Sequence, residues 1–307
     1  TASLVMRLWQ PMSALTLPTL LCLILVSALH YGCAAAAARA AAGVPLPFGE
    51  LVATQFASSA ANRLTPAGLG GATVTGRYFV RRGRLQPTQA AAAVSALALL
   101  GSTADVLAFA TVIGLGTAAG LAGASGEVPL LLSKVIGLVP VPTGSWWLWT
   151  AAGAASAIIA MACLQRQRTA AIARRLTGGL RTYRASLGSL VRRPGRLAAL
   201  MTASAATTLL LAAGFAAAAT LGPAGLSAST FCALMIGYMV AAAAGNALPT
   251  PGGIGTADAA LVGVLVAAQL PVAHAVAIVL AFRLVTFWAP AVIGLGLMRP
   301  LRRRGAL

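Results

Sequence analysis

Asn246-Ala247-Leu248-Pro249-Thr250-Pro251-Gly252-Gly253-Ile254-Gly255 interrupts an apolar stretch of the chain, and a near copy stands far upstream as Asn62-Arg63-Leu64-Thr65-Pro66-Ala67-Gly68-Leu69-Gly70-Gly71. Aligning Asn62 with Asn246 pairs Leu64 with Leu248. After one gap at Pro249, Thr65 meets Thr250, Pro66 meets Pro251, Gly68 meets Gly253 and Gly70 meets Gly255. Proline removes a backbone donor and glycine tolerates φ > 0, so a helix stops at each segment. In hydrocarbon an unpaired backbone group is costly, so both breaks must face protein or a water-filled cavity. The half-helix after each break starts at a positive dipole end with free N–H groups, a ready site for phosphate or carboxylate. The plainer alternative is that Pro and Gly only kink packed helices, as they commonly do in membrane segments. The mutual match favours a site.

Outward from the breaks, the chain alternates apolar runs with arginine clusters. Apolar runs at 15–38, 88–120, 146–164, 197–221 and 272–298 are long enough to cross a bilayer. Trp146, Trp147 and Trp149 open one of them, as interfacial tryptophans do. Basic clusters follow at Arg77, Arg81, Arg82 and Arg84, at nine arginines between Arg166 and Arg196, and at Arg299, Arg302, Arg303 and Arg304. Cationic loops stay in the cytoplasm. All three clusters then agree on one topology, with the C-terminus inside. In it the stretch 39–84 enters and returns on the inner side, and 226–268 does so on the outer side. Two matched hairpins of opposite orientation are what an inverted repeat produces, and such repeats bring broken helices to the bilayer midplane.

The expected fold is therefore an all-α polytopic membrane protein, with about six full transmembrane helices and two broken re-entrant hairpins arranged as inverted repeats. It reads as a single domain over 1–307. A first span at 15–38 precedes a first half, 45–164, with its break at 62–71. An Arg-rich cytoplasmic loop, 165–196, leads to a second half, 197–300, with its break at 246–255. Composition agrees: 59% of the 307 residues are apolar and 8% are charged, against about 25% charged in soluble domains. The formal charge of +18 is read by position, as loop bias and contact with anionic headgroups rather than nucleic-acid binding. Cys22, Cys33, Cys163 and Cys232 lie singly in apolar surroundings and read as packing residues. The chain opens at Thr1 rather than Met, which suggests an upstream segment.

Charges inside the apolar runs carry the remaining signal. Arg283 lies mid-span in Ala281-Phe282-Arg283-Leu284-Val285-Thr286-Phe287-Trp288. An intramembrane arginine costs at least ~2.5 kcal/mol and faces a cavity or a partner by default. Asp258, three residues after Gly255, either steadies its helix start or pairs with Arg283, and the pairing is favoured. Arg63 offers bidentate hydrogen bonds to a phosphate, or contacts lipid headgroups. Asp105 complements Arg63 or Arg77, or takes up protons. His30 and His274 read as structural and interfacial. No nucleophile–base–acid trio is visible, so neither catalytic residues nor a metal or cofactor is expected. The candidate binding residues are Asn62, Arg63, Pro66, Gly68, Gly70, Asn246, Pro249, Pro251, Gly252, Gly253, Gly255, Asp258 and Arg283.

The run Leu248 to Asp258, followed by Arg283 in F-R-L-V-T-F-W-x-P, resembles the lysylphosphatidylglycerol synthase transmembrane-region family, flippase-like integral membrane proteins. The first break is similar to the family's P-x-G-x-G-G segment, with Arg77-Tyr78 and Arg81-Arg82-Gly83 as its basic exit. The likeness covers about residues 45–300. It implies movement of aminoacylated phospholipids or polyprenyl-phosphate-linked sugars between leaflets, or service to envelope glycolipid pathways. The family usually has Glu where this chain has Asp258, and an Arg/Glu pair where it has Gly101 and Ser102. Lysyl transfer from tRNA is not expected, because no aminoacyltransferase domain follows by Leu307.

Two functions are weighed on this basis. One is a flippase in the inner (plasma) membrane for an anionic or aminoacylated lipid or a lipid-linked sugar. The other is a non-transporting scaffold that recruits an envelope glycosyltransferase or synthase through its basic loop.

Overall fold

A computed structural model describes residues 17–65, 69–118, 188, 192–220, 228–247 and 255–307. Among these residues the chain is all helix, without strands. Helices α1 (Leu17–Ala42), α2 (Phe48–Leu64), α3 (Leu69–Arg81) and α4 (Pro87–Ala118) precede α5 (Pro194–Thr220), α6 (Ala228–Ala247) and α7 (Thr256–Ala267). The last helix, α8 (Val272–Arg303), contains one π turn at Leu284–Trp288. The expected span 146–164, most of the loop 165–196 and Cys163 lie outside the described residues.

Helix lengths follow from local chemistry. α1, α4, α5 and α8 have 26, 32, 27 and 32 residues, or about 39–48 Å at 1.5 Å per residue. Each exceeds the ~30 Å hydrocarbon core. Four described helices are thus long and apolar enough to span, against about six expected over the whole chain. α2, α3 and α7 have 17, 13 and 12 residues, too short for a full crossing. α1 and α8 both outrun the apolar stretches read from sequence, ending at Ala42 rather than 38 and at Arg303 rather than 298. Hydropathy fades there, but nothing stops the helix until Gly43 and Gly305, both at positive φ.

α2 pairs with α3, and α6 with α7, each pair flanking one of the two matched breaks. α1 lies along α5, and α2 along α8. Small residues permit these approaches, as membrane helices require. A Cβ on Gly237 of α6 would come within 2.5 Å of Val264 on α7, and one on Gly294 of α8 would strike the Phe56 carbonyl of α2. One core gathers Phe215, Tyr238 and Phe282, whose ring centroids are 5.5–5.6 Å apart, with Leu23, Leu234 and Val264. A second core, of Ala38, Leu46, Leu51, Tyr78, Phe79 and Leu301, lies near the basic helix ends. Beside it, Glu50 forms a bidentate pair with Arg82 at 2.8 and 2.9 Å, which sequence reasoning missed. Large apolar side chains such as Leu25, Val106, Leu115 and Val292 remain exposed. That is the surface a bilayer covers, and Cys22, Cys33 and Cys232 are free within it.

Candidate functional site

The first break shows how its two helices are tied together. Thr65 Oγ1 accepts the Gly70 N–H at 2.8 Å while donating to the Ala61 carbonyl at 3.0 Å. Asn62 Oδ1 accepts the Gly71 N–H at 2.5 Å. The Gly70 and Gly71 N–H groups at the start of α3 are therefore capped by side chains that precede the break rather than free, which corrects the expectation of an open helix terminus at Gly70. Gly70 and Gly71 are required by the same closeness: a Cβ at Gly70 would collide with the Ala61 carbonyl, and one at Gly71 would lie 2.5 Å from Asn62 Oδ1. Asn62→Ala and Thr65→Ala should each cost about 1 kcal/mol, the usual worth of an N-terminal cap. Thermal unfolding in detergent, with faster amide exchange at Gly70 and Gly71, is the check.

At the second break Gly255 has φ +91°, a conformation that favours glycine. Asp258 Oδ2 accepts the Gly255 N–H at 3.0 Å, which ties the carboxylate to the entry of α7, while no side chain caps the first N–H groups of that helix. Asp258 Oδ1 lies 2.5 Å from Arg283 Nε, the pairing that the sequence favours. The contact is an ion pair without hydrogen-bond alignment. Pro66, Gly68, Pro249, Pro251, Gly252 and Gly253 lie outside the described residues. For Asn246 only its place in the last turn of α6 is described.

Arg63 of α2 and Arg283 of α8 share one ring. The Arg63 guanidinium carbon stands 3.8 Å from the Phe287 centroid, and that of Arg283 stands 4.8 Å from it. A desolvated cation over an aromatic face gains about 2 kcal/mol. Arg63 is further held by Nη1, which donates to the Ser59 carbonyl at 2.6 Å and to the Ser59 hydroxyl. Tyr31 shares that hydroxyl at 2.7 Å and stacks on Phe56 at 4.0 Å. Arg63 Nε is buried without a partner. Phe287 sits in the π turn, whose Val285 carbonyl accepts from Ser27 Oγ at 3.3 Å. Such turns often mark functional positions.

Of the sequence candidates, then, the fold brings Arg63, Asp258, Gly255 and Arg283 to one place and uses Asn62 and Gly70 to fasten the first break. Tyr31, Ser59 and Phe287 were missed. Phe287 had a readable signal, since it stands four residues after Arg283 and so shares its helix face. Asp105 does not reach Arg63 or Arg77. Its Oδ1 accepts from Thr208 Oγ1 at 2.5 Å, joining α4 to α5. His30 Nδ1 lies 3.1 Å from the Thr207 carbonyl, a structural bond between α1 and α5, and His274 is exposed at the start of α8.

Chemically, the site holds two guanidiniums and one carboxylate. Asp258 offsets Arg283, and no acid faces Arg63 among the described residues, so one positive charge is left over. The chain matches the family described as Lysylphosphatidylglycerol synthase TM region over residues 2–294, a longer extent than the motifs alone imply and one that takes in α1. No curated protein and no solved structure matches it.

Proposed function

The chain belongs to the lysylphosphatidylglycerol synthase transmembrane-region family, a multi-pass membrane protein of flippase-like kind, and from that premise we propose that it moves a phosphate-bearing amphiphile between leaflets of the plasma membrane. The substrate is an anionic or aminoacylated phospholipid, or a polyprenyl-phosphate-linked sugar, serving the cell envelope. The observation that carries this reading is the convergence of Arg63 and Arg283 on Phe287, where the one carboxylate, Asp258, pairs with Arg283 alone. A phosphodiester brings the one negative charge the site lacks.

The roles divide by chemistry. Arg63 has an unpartnered Nε within a fork suited to phosphate oxygens. Arg283 carries the second fork, and Asp258 is its counterion when no lipid is bound. Because Asp258 is also tethered to the Gly255 N–H, it yields Arg283 to a phosphate without leaving the site. The same carboxylate then suits the ammonium of an aminoacyl headgroup. Phe287 offers its ring to both guanidiniums, which offsets part of their desolvation. On this reading the basic helix ends face the cytoplasm.

Arg63→Ala should slow translocation of headgroup-labelled phosphatidylglycerol in proteoliposomes by about tenfold to a hundredfold. That is the loss of one charge-assisted hydrogen-bonded contact worth ~1.5–3 kcal/mol. Arg63→Lys should fall between, keeping the charge and losing the fork. Translocation by Arg63→Ala at the parent rate would remove the phosphate from this site.

A further inference from the structure

A second concave feature lies at the basic end of the bundle, away from Phe287. A cleft of ≈ 410 Å³ opens between the last turns of α1, the connection that follows and the start of α5. Its walls are apolar, with Ala36, Ala40 and Ala199 beside the larger Phe48, and its lining includes Arg39 and Arg196. Arg196 donates to the Ala40 carbonyl from Nη2 at 2.9 Å and from Nε at 3.3 Å. This caps the end of α1 and fixes a guanidinium over Gly43, where any side chain would displace it. Arg39 is exposed.

Neither charge is neutralised by the described acids. Glu50 is committed to Arg82, Asp105 to Thr208 and Asp258 to Arg283. An apolar approach leads into the cleft. Leu21, Leu25 and Leu29 are 57%, 60% and 47% exposed. At 3.6 residues per turn they share with Ala36 and Ala40 a strip of α1 about 100° wide. Gly32 adds no bulk to it.

We propose that this cleft binds one anionic phospholipid, its phosphate between Arg39 and Arg196 and an acyl chain laid along the exposed strip of α1. The apolar strip is what a free phosphate has no use for, and the paired arginines are what a zwitterionic lipid does not satisfy. Because Arg39 belongs to α1 and Arg196 to α5, the bound lipid clamps the two helices together. It is a resident lipid at the rim, distinct from the one carried past Phe287, so the proposal does not rest on the transport reading.

The test uses the full chain in detergent with a diazirine-bearing phosphatidylglycerol, mapping the labelled peptides. Native mass spectrometry compares retention of dioleoylphosphatidylglycerol with that of dioleoylphosphatidylcholine. Labelling should fall on the α1 strip and the start of α5, with the anionic lipid retained in preference. Arg39→Gln should cut its retention about fivefold, the effect of one basic residue at a membrane surface. Ala36→Trp, which fills the groove and keeps both charges, should remove the label. Equal retention of the two lipids, undiminished binding by Arg39→Gln, or label confined to peptides around Phe287 would overturn the rim site. So would displacement of the label by millimolar inorganic phosphate, which would make it a site for the free anion. Translocation rates play no part in these outcomes, so either site can fail alone.

Discussion

Arg283→Ala is expected to lower lipid translocation at least a hundredfold, and Asp258→Ala nearly as far, while the two together restore stability but not transport. The pair is held at 2.5 Å with the Arg283 side chain 15% exposed and that of Asp258 36% exposed. Removing one partner of a buried pair costs ~3–5 kcal/mol because a charge is orphaned. The partial exposure of Asp258 reduces this to about 2 kcal/mol, or roughly 5 °C in Tm. Removing both leaves no orphan, so the double variant should melt closer to the parent than either single one. That non-additivity is the mark of direct contact. Transport behaves differently, since it needs the Arg283 fork itself. Proteoliposome assays and thermal unfolding of the four proteins separate the two effects. Parent-like translocation by Arg283→Ala would end the transport role of this pair, and strict additivity in Tm would end the pairing.

Gly294→Ala should be among the most damaging single-atom additions in the described chain. Gly294 lies where α8 touches the backbone of α2. An added Cβ collides with the Phe56 carbonyl and lies 2.6 Å from its carbon and 3.1 Å from the Ala57 nitrogen. Backbone cannot rotate aside as a side chain does, so the helices must part. The cost belongs at the upper end of the ~1–3 kcal/mol seen for overpacking. Function should suffer too. Phe56, Ser59 and Arg63 ride on the same helix, and its displacement carries Arg63 off Phe287. Gly296→Ala is the control: nothing lies within 4 Å of the Cβ it would gain, and alanine is the better helix former by up to ~1 kcal/mol. Identical melting of the two variants would show that α2 and α8 are not in backbone contact.

Both results depend on contacts of different legibility. The Asp258–Arg283 pair was readable because each residue is anomalous where it stands: an arginine in mid-span needs a partner, and an acid opens the next helix after the break. The helix boundaries were readable within a few residues for a similar reason, since apolar length and the Pro/Gly breaks are properties of consecutive residues. The family resemblance rested on those same motifs. The caps from Thr65 and Asn62 reversed one expectation. A helix start looks open in sequence whenever its capping groups come from the preceding helix across a turn of unknown shape.

The amino-acid order by itself determined the solvent of this protein, the places where its helices stop and the charge that one intramembrane arginine demands. Tertiary structure alone decided that Arg63 shares Phe287 with Arg283, that Asp105 turns to Thr208, and that Gly294 meets Phe56. The reason is physical. Helices such as α1 and α4 are apolar almost all round, so no polar stripe marks which side faces inward. Between such helices the rotational phase is set by close packing of small residues, and packing is a property of the pair rather than of either strand of sequence.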